Sequence, residues 1–249
     1  MLDRAPFLRP IAHRGLHNAK RGITENTGPA FEAAIEKGYG IECDVRPAAD
    51  GLPVVFHDAT LTRLVKGRGQ VAKLTERQLK LLRHRIGGAP ILTFNELLDL
   101  ISGRVPLLIE IKSEWQPPQK SFLSKIAAAA SRYKGPIALM SFDPAVMSEI
   151  RSLAPEVPRG IVSGSFKGAG WWARRINPKR AASLRNLLES GPVAPDFYAY
   201  DIDALPTPVT EYAREVQGLP LFTWTVRTVK QRKAAANWAD AMIFEGFEP

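Results

Sequence analysis

The chain of 249 residues has a single cysteine, Cys43, so it forms no internal disulfide. Folds stapled by cystine bridges are excluded, and a reducing compartment fits. No apolar run reaches the about 20 residues that cross a bilayer. The opening stretch MLDRAPFLRPIAHRG lacks an apolar leader core and enters a strand-like pattern at once. The expectation is a cytoplasmic protein. Linkers, low-complexity tracts and charge blocks are also missing, which argues for one domain over residues 1–249. Acidic residues are the scarcer sign: 34 Lys and Arg stand against 25 Asp and Glu, a formal charge of +9. Solubility, steering of an anionic substrate and attraction to a phospholipid surface each account for that excess. The basic residues are scattered rather than striped and no reader motif is recognisable, so nucleic acid is not an expected partner.

What is present is alternation. From residue 106 onward, strand-like runs at 106–111, 137–142, 160–163, 197–200, 221–226 and 241–244 are separated by helix-like stretches. Asp143-Pro144 and Asn177-Pro178 each read as a helix cap followed by proline at the first helical position. Runs at 10–13 and 39–45 raise the strand count to eight, and parallel strands wrapped by helices are the pattern of an α/β TIM-type (β/α)8 barrel. The run Val54–His57 follows Val45 too closely for a parallel crossover. Asp50-Gly51 lies between them, so this run reads as a small hairpin excursion after strand 2. Cys43, between two polar residues of a strand pattern, is expected to point away from the barrel axis as a small buried hydrophobe.

Polar groups gather at or near the ends of these runs. They are His13-Arg14-Gly15, Glu25-Asn26-Thr27 in a loop, Glu42 and Asp44 around Cys43, His57-Asp58, and Glu110-Ile111-Lys112. Glu42 and Asp44 are two apart in a strand and share one face, and Glu110 and Lys112 repeat the spacing. Carboxylates do not sit unpaired in an apolar core. Either a hard divalent cation, Mg²⁺ or Ca²⁺, or a salt-bridge network with Lys112 and Arg46 would resolve their repulsion. Spacing does not choose between the two. His13 and His57, each beside a charged partner, suit proton transfer near neutral pH. Arg14 offers a bidentate fork for phosphate. His17 and His84 lack such context and read as surface residues. Gly87-Gly88 reads as a turn.

These strings, with Asp50-Gly51, Val54–Asp58 and Leu61-Thr62-Arg63, resemble in order and spacing the glycerophosphodiester phosphodiesterases. Ser141-Phe142 and Thr223-Trp224-Thr225-Val226 resemble that family's later strand ends, and the likeness covers nearly the whole chain. The resemblance implies a (β/α)8 barrel that hydrolyses a glycerophosphodiester to glycerol 3-phosphate and an alcohol. It implies His13 and His57 as the acid–base pair, and Glu42, Asp44 and Glu110 as ligands of the divalent metal. It also implies Arg14 and Lys112 as phosphate contacts, with Glu25 and Asn26 in the loop that shapes the site.

Two departures from the family pattern stand out. Ala48-Ala49 replaces a usual Thr-Lys. The last strand carries Phe244 and then Glu245, where the family usually has a threonine and an aspartate. Trp224 and Phe244 are therefore expected to border the mouth of the barrel and favour a substrate with an apolar or flat portion, unless Phe244 points outward into the helix layer. Strand alternation forbids Ile243 and Phe244 from both facing the axis. The segment 166–185, with Trp171-Trp172 ahead of Arg174, Arg175, Lys179 and Arg180, suits either weak contact with an anionic membrane surface or packing of a loop onto the barrel. The first alternative would make the enzyme a lysophospholipase D type. A non-catalytic binding protein on the same fold is a further alternative.

Overall fold

The computed structural model describes residues 2–168 and 170–249, with Trp171 as backbone only. Strands β1 (Ile11–His13), β2 (Gly40–Pro47), β4 (Leu107–Ile111), β5 (Ile137–Ser141), β6 (Arg159–Ser163), β7 (Phe197–Asp201), β8 (Leu221–Val226) and β9 (Ala241–Phe244) pair in parallel. Pairing of β1 with both β9 and β2 closes them into an eight-membered barrel. The remaining strand, β3 (Pro53–Val55), runs antiparallel to the upper half of β2. It is the expected hairpin excursion. Asp50 and Gly51 both take positive φ at its turn, and a Cβ on Gly51 would lie 2.6 Å from Ser121 Oγ. Glycine is needed there for conformation and for space.

Helices α1 (Gly28–Glu36), α2 (Glu76–Leu81), α3 (Phe94–Ile101), α4 (Lys120–Arg132), α5 (Pro144–Leu153), α6 (Pro178–Arg185), α7 (Pro208–Glu211) and α8 (Val229–Trp238) alternate with the strands. Their starts follow from local chemistry. Asp143 accepts from Ala145 N ahead of Pro144, and Asn177 accepts from Arg180 N ahead of Pro178. Thr93 with Glu96 and Thr228 with Gln231 form reciprocal capping boxes. Helix α1 begins after Thr27 with Pro29 in its first turn, although Thr27 makes no side-chain cap bond. No described helix is long and apolar enough to cross a membrane.

Period-two alternation divides each strand between two cores. Inward residues such as Leu108, Met140, Val162, Phe197, Ala199, Phe222 and Ile243 fill the barrel. Outward residues such as Cys43, Ile109, Leu139, Tyr198 and Phe244 join the helices in the larger outer core. Cys43 is fully buried and faces away from the axis, as expected. A third, separate cluster of Val54, Phe56, Leu61, Val65, Val71 and Leu79 packs the excursion onto itself. His84 belongs there too. It is 1 % exposed and its Nδ1 lies 2.9 Å from Ala89 O, so its expected surface position is corrected: it is a structural histidine inside the excursion.

Candidate active site

A cleft of about 640 Å³ opens at the C-terminal ends of the strands. The fold delivers polar side chains there for one reason. Continuing the inward alternation past the last apolar layer puts the next inward residue of each strand on the rim. His13 follows Ile11, Glu110 and Lys112 follow Leu108, and Glu245 follows Ile243.

The three carboxylates Glu42, Asp44 and Glu110 converge, each offering an oxygen within 4.8 Å of the others. Lys112 Nζ bridges two of them, at 2.8 Å from Asp44 Oδ1 and 2.5 Å from Glu110 Oε1. Arg14 Nε lies 3.1 Å from Asp44 Oδ2, while its NH1 donates to Glu25 Oε1 at 2.7 Å. Burial opposes ionisation of Asp44, but Lys112 and Arg14 outweigh it and hold the group well below the usual carboxylate range. Glu42 is left over. Burial, with Asp44 and Glu110 beside it, pushes its pKa well above the usual range. Its Oε2 accepts from Arg14 N at 3.0 Å, and its Oε1 is buried without a hydrogen-bond partner. Lys112 thus supplies part of the salt-bridge network read from spacing. Arg46 does not, because it donates to His57 O and pairs with Glu114. An orphaned, fully buried carboxylate oxygen beside two others is what a hard divalent cation would satisfy, so the donor set fits one.

Both histidines are anchored through Nδ1 to a carboxylate that an arginine grips in turn. His13 Nδ1 lies 2.9 Å from Glu245 Oε2, which also accepts from Arg227 at 2.8 Å. His57 Nδ1 lies 2.7 Å from Asp58 Oδ1, and Arg63 donates to both Asp58 oxygens. The hydrogen bond from His13, with Arg227 nearby, brings the Glu245 pKa down to about 2. Asp58 is likewise held low, since its bonds to His57 and Arg63 overcome its burial. An ionised carboxylate only accepts, so each Nδ1 carries the proton, and a ring in its neutral form presents its lone pair at Nε2. Nε2 of His13 lies 3.8 Å from Glu42 Oε2. Burial pushes the His13 pKa down, although Glu245 pulls the other way.

Arg63 also donates to both oxygens of Glu25. A continuous chain of charge therefore runs from His57 through Asp58, Arg63, Glu25 and Arg14 to Asp44. The sequence strings contain Arg63 and Glu245 but gave neither a role. Glu245 follows from strand alternation once Phe244 is known to face outward, and that facing is not legible in the sequence.

Three expectations, for Phe244, Asn26 and Glu25, are corrected. Phe244 is not a substrate contact: it is 1 % exposed in the outer core, edge-on to Tyr39 at 5.0 Å and packed on Phe247, while Ile243 lines the cleft. Asn26, expected with Glu25 to contact the substrate, is fully buried and does not line the cleft. Its Nδ2 donates to Asp44 Oδ2 and its Oδ1 accepts from Asp44 N, so it holds Asp44 in place. Glu25 acts similarly through Arg14 and Arg63 and does not line the cleft. Trp224 does line it. In segment 166–185, Trp172 packs edge-on to Phe166, Arg175 pairs with Glu114, and Arg180 pairs with Glu189 over the ring of Trp115. These groups tie the loop to the barrel mouth. The side chain of Trp171 lies outside the described residues.

A barrel with such a rim belongs among the hydrolases rather than the binding modules. Comparison with known proteins narrows the class: the chain belongs to the Glycerophosphoryl diester phosphodiesterase family, whose sequence profile it matches over residues 13–247. It is a phosphoric diester hydrolase. A Mycobacterium tuberculosis protein named "Probable glycerophosphodiester phosphodiesterase 1" is 31% identical over 244 residues, covering 89% of this chain and 82% of its own. A crystal structure of a putative glycerophosphoryl diester phosphodiesterase from Silicibacter pomeroyi superposes with a TM-score of 0.73 at 25% identity, covering 95% of this chain and 89% of its own. An Oleispira antarctica phosphodiesterase, solved in complex with the product sn-glycerol-3-phosphate, shares the fold at a TM-score of 0.73 and 22% identity, covering 95% of this chain and 92% of its own.

Proposed function

We propose that the cleft hydrolyses glycerophosphodiesters to glycerol 3-phosphate and an alcohol, with Glu42, Asp44 and Glu110 holding a divalent cation, Mg²⁺ or Ca²⁺. The observation that carries this reading is the orphaned Glu42 oxygen within a cluster of three buried carboxylates, flanked by two imidazoles with fixed tautomers. A bound divalent cation supplies positive charge against the phosphate oxygens. The remaining chemistry belongs to the chain. Arg14 and Lys112 border the same cleft and present cationic donors to the phosphate. One histidine takes a proton at Nε2 from the attacking water, or from the neighbouring glycerol hydroxyl in a first step whose cyclic phosphate a water then opens, and the other, protonated, gives one to the leaving alkoxide. Glu245 and Asp58 keep each ring oriented and stabilise its charged form. The oxygen-donor set is unsuited to a soft ion. The product complex of the Oleispira antarctica protein supports glycerol 3-phosphate as the retained half.

The test is a coupled assay for released glycerol 3-phosphate. Chelator-treated protein is expected to be inactive and to recover with Mg²⁺ or Ca²⁺. Full activity after exhaustive chelation would remove the metal from this reading.

A further inference from the structure

Scattered along the chain as a whole, the cations have one concentration. Residues 60–90, in the excursion beyond β3, hold eight Lys and Arg against one acid, Glu76, a formal +7 of the chain's +9. All eight are exposed. Among the described residues only Arg63 and Lys80 of the eight pair with a carboxylate. Like charges left unpaired so close together repel, so this gathering of cations adds nothing to the stability of the excursion.

The fold turns several of them to one side. Val65 and His84 face each other across an antiparallel bridge, and both are buried. Their exposed neighbours Lys66, Arg83 and Arg85 therefore point outward together. Backbone bonds fix the register, since Lys66 N donates to Arg83 O at 3.4 Å and Arg85 N to Leu64 O at 2.7 Å. The Arg83 guanidinium donates to Lys80 O and Leu82 O, so the face continues onto the end of α2 at Lys80 and Leu81. Leu81 is 78 % exposed, the most exposed large apolar residue among those described. Ile86, next to Arg85, is exposed as well. Beyond it Gly87 packs on the β1–α1 loop, where an added Cβ would lie 2.1 Å from Gly22 O. That contact joins exposed Lys20 and Arg21 to the same basic region.

We propose that this face of the excursion docks onto an anionic phospholipid surface, its cations against the headgroups and Leu81 and Ile86 in the apolar boundary beneath them. Charge complementarity supplies the attraction, and the two aliphatic side chains supply burial. Nucleic acid is the competing polyanion. Residues 60–90 contain no Phe, Tyr or Trp on which a base could stack, and an exposed leucine gains nothing from a phosphate backbone. The proposal goes beyond the hydrolytic reading, because it concerns where the protein sits. His57 and Arg63 arrive on the same excursion, so docking holds the mouth of the cleft close to the bilayer.

The test is cosedimentation of the whole protein with phosphatidylcholine vesicles that contain phosphatidylglycerol, against vesicles of phosphatidylcholine alone. Wild type is expected to bind the anionic vesicles and to be released by salt. Lys66→Gln with Arg85→Gln should weaken binding by roughly 10- to 30-fold, at about 5-fold for each cation lost. Leu81→Ser should weaken it by roughly 5-fold and leave its salt dependence unchanged. Arg174→Gln with Lys179→Gln removes the same charge from the 166–185 loop and should cost less than about 3-fold. All five side chains are exposed, so the fold is retained. Absence of binding by wild type, equal loss from the two charge pairs, or unchanged affinity in Leu81→Ser overturns the proposal. Duplex DNA bound more tightly than the vesicles, and lost in Lys66→Gln with Arg85→Gln, would overturn it in favour of a nucleic-acid surface. Binding is read without turnover, so none of these outcomes touches the hydrolytic reading, and a protein that binds the vesicles as described without cleaving any diester supports the proposal alone.

Discussion

A neutral imidazole has two nitrogens, and a useful general base must present the right one. Glu245 and Asp58 impose that choice on His13 and His57. His13→Ala and His57→Ala are each expected to lower turnover by at least about 10²-fold, with the fold retained because both rings sit on the rim. Near-normal turnover in either would make that histidine structural. Glu245→Gln tests the anchor separately. An amide can donate as well as accept, so the ring of His13 is free to turn or to switch tautomer. The expected outcome is a fall in kcat of roughly 10-fold or more, a smaller change in KM and a shifted pH profile, with recovery in Glu245→Asp. A rise in KM alone would place Glu245 in substrate binding instead.

At the scale of elements, Phe244 shows how a strand sorts its neighbours. It is fully buried between β9 and the helix layer, against Tyr39 and Phe247. Phe244→Thr should therefore destabilise the protein by about 2–4 kcal/mol, read by urea unfolding, and leave relative kcat/KM for large and small diesters unchanged. A shifted substrate ratio would mean that the side chain reaches the cleft. Most of the element plan was legible. Strand-like runs, Asp-Pro and Asn-Pro starts and the short link after β2 all depend on local pattern, and the structure keeps them. Facing was harder to read. Phe244 alternates with Ile243, and nothing in a four-residue strand states which of two large apolar residues looks inward. His84 looked like a surface residue because its burial comes from Phe56 and the 60–90 excursion, not from its own neighbours. The carboxylates and histidines were legible as a set. Their anchors were less so, because Arg63 meets Glu25 across 38 residues and Glu245 meets His13 across 232.

At the scale of the whole molecule, the charge chain along the rim links stability to acidity. Glu25 is held at about 2, because its bonds to Arg63 and Arg14 overcome its burial. As pH falls, the unfolded chain binds the proton first, near the ordinary carboxylate value of about 4.3. The folded protein resists until about pH 2. The contribution of Glu25 is thus complete above that ordinary value and shrinks steadily below it. Wild type should exceed Glu25→Gln in unfolding free energy by on the order of 2 kcal/mol at pH 6, after allowance for solvent around Arg63. The gap should narrow by pH 3. A gap that stays constant over that range would mean that Glu25 acts by shape rather than by charge.

His57 and Asp58 reach the rim from outside the closed ring of strands, as does Arg63 that grips Asp58. They follow β3, which rests on β2 by one short antiparallel pairing; its Val55 reaches the outer core, while Val54 and the chain beyond it pack in the separate cluster around Phe56 and Leu61. A closed barrel has no edge from which to unzip, whereas this excursion does. Its amide protons are therefore free to exchange through local opening, at a lower free energy than those of β4 or β7. Local opening of the excursion would withdraw His57 while the barrel, its carboxylates and His13 stay in place. Competence and foldedness are separate properties of this chain, and heat or denaturant would take away the first before the second.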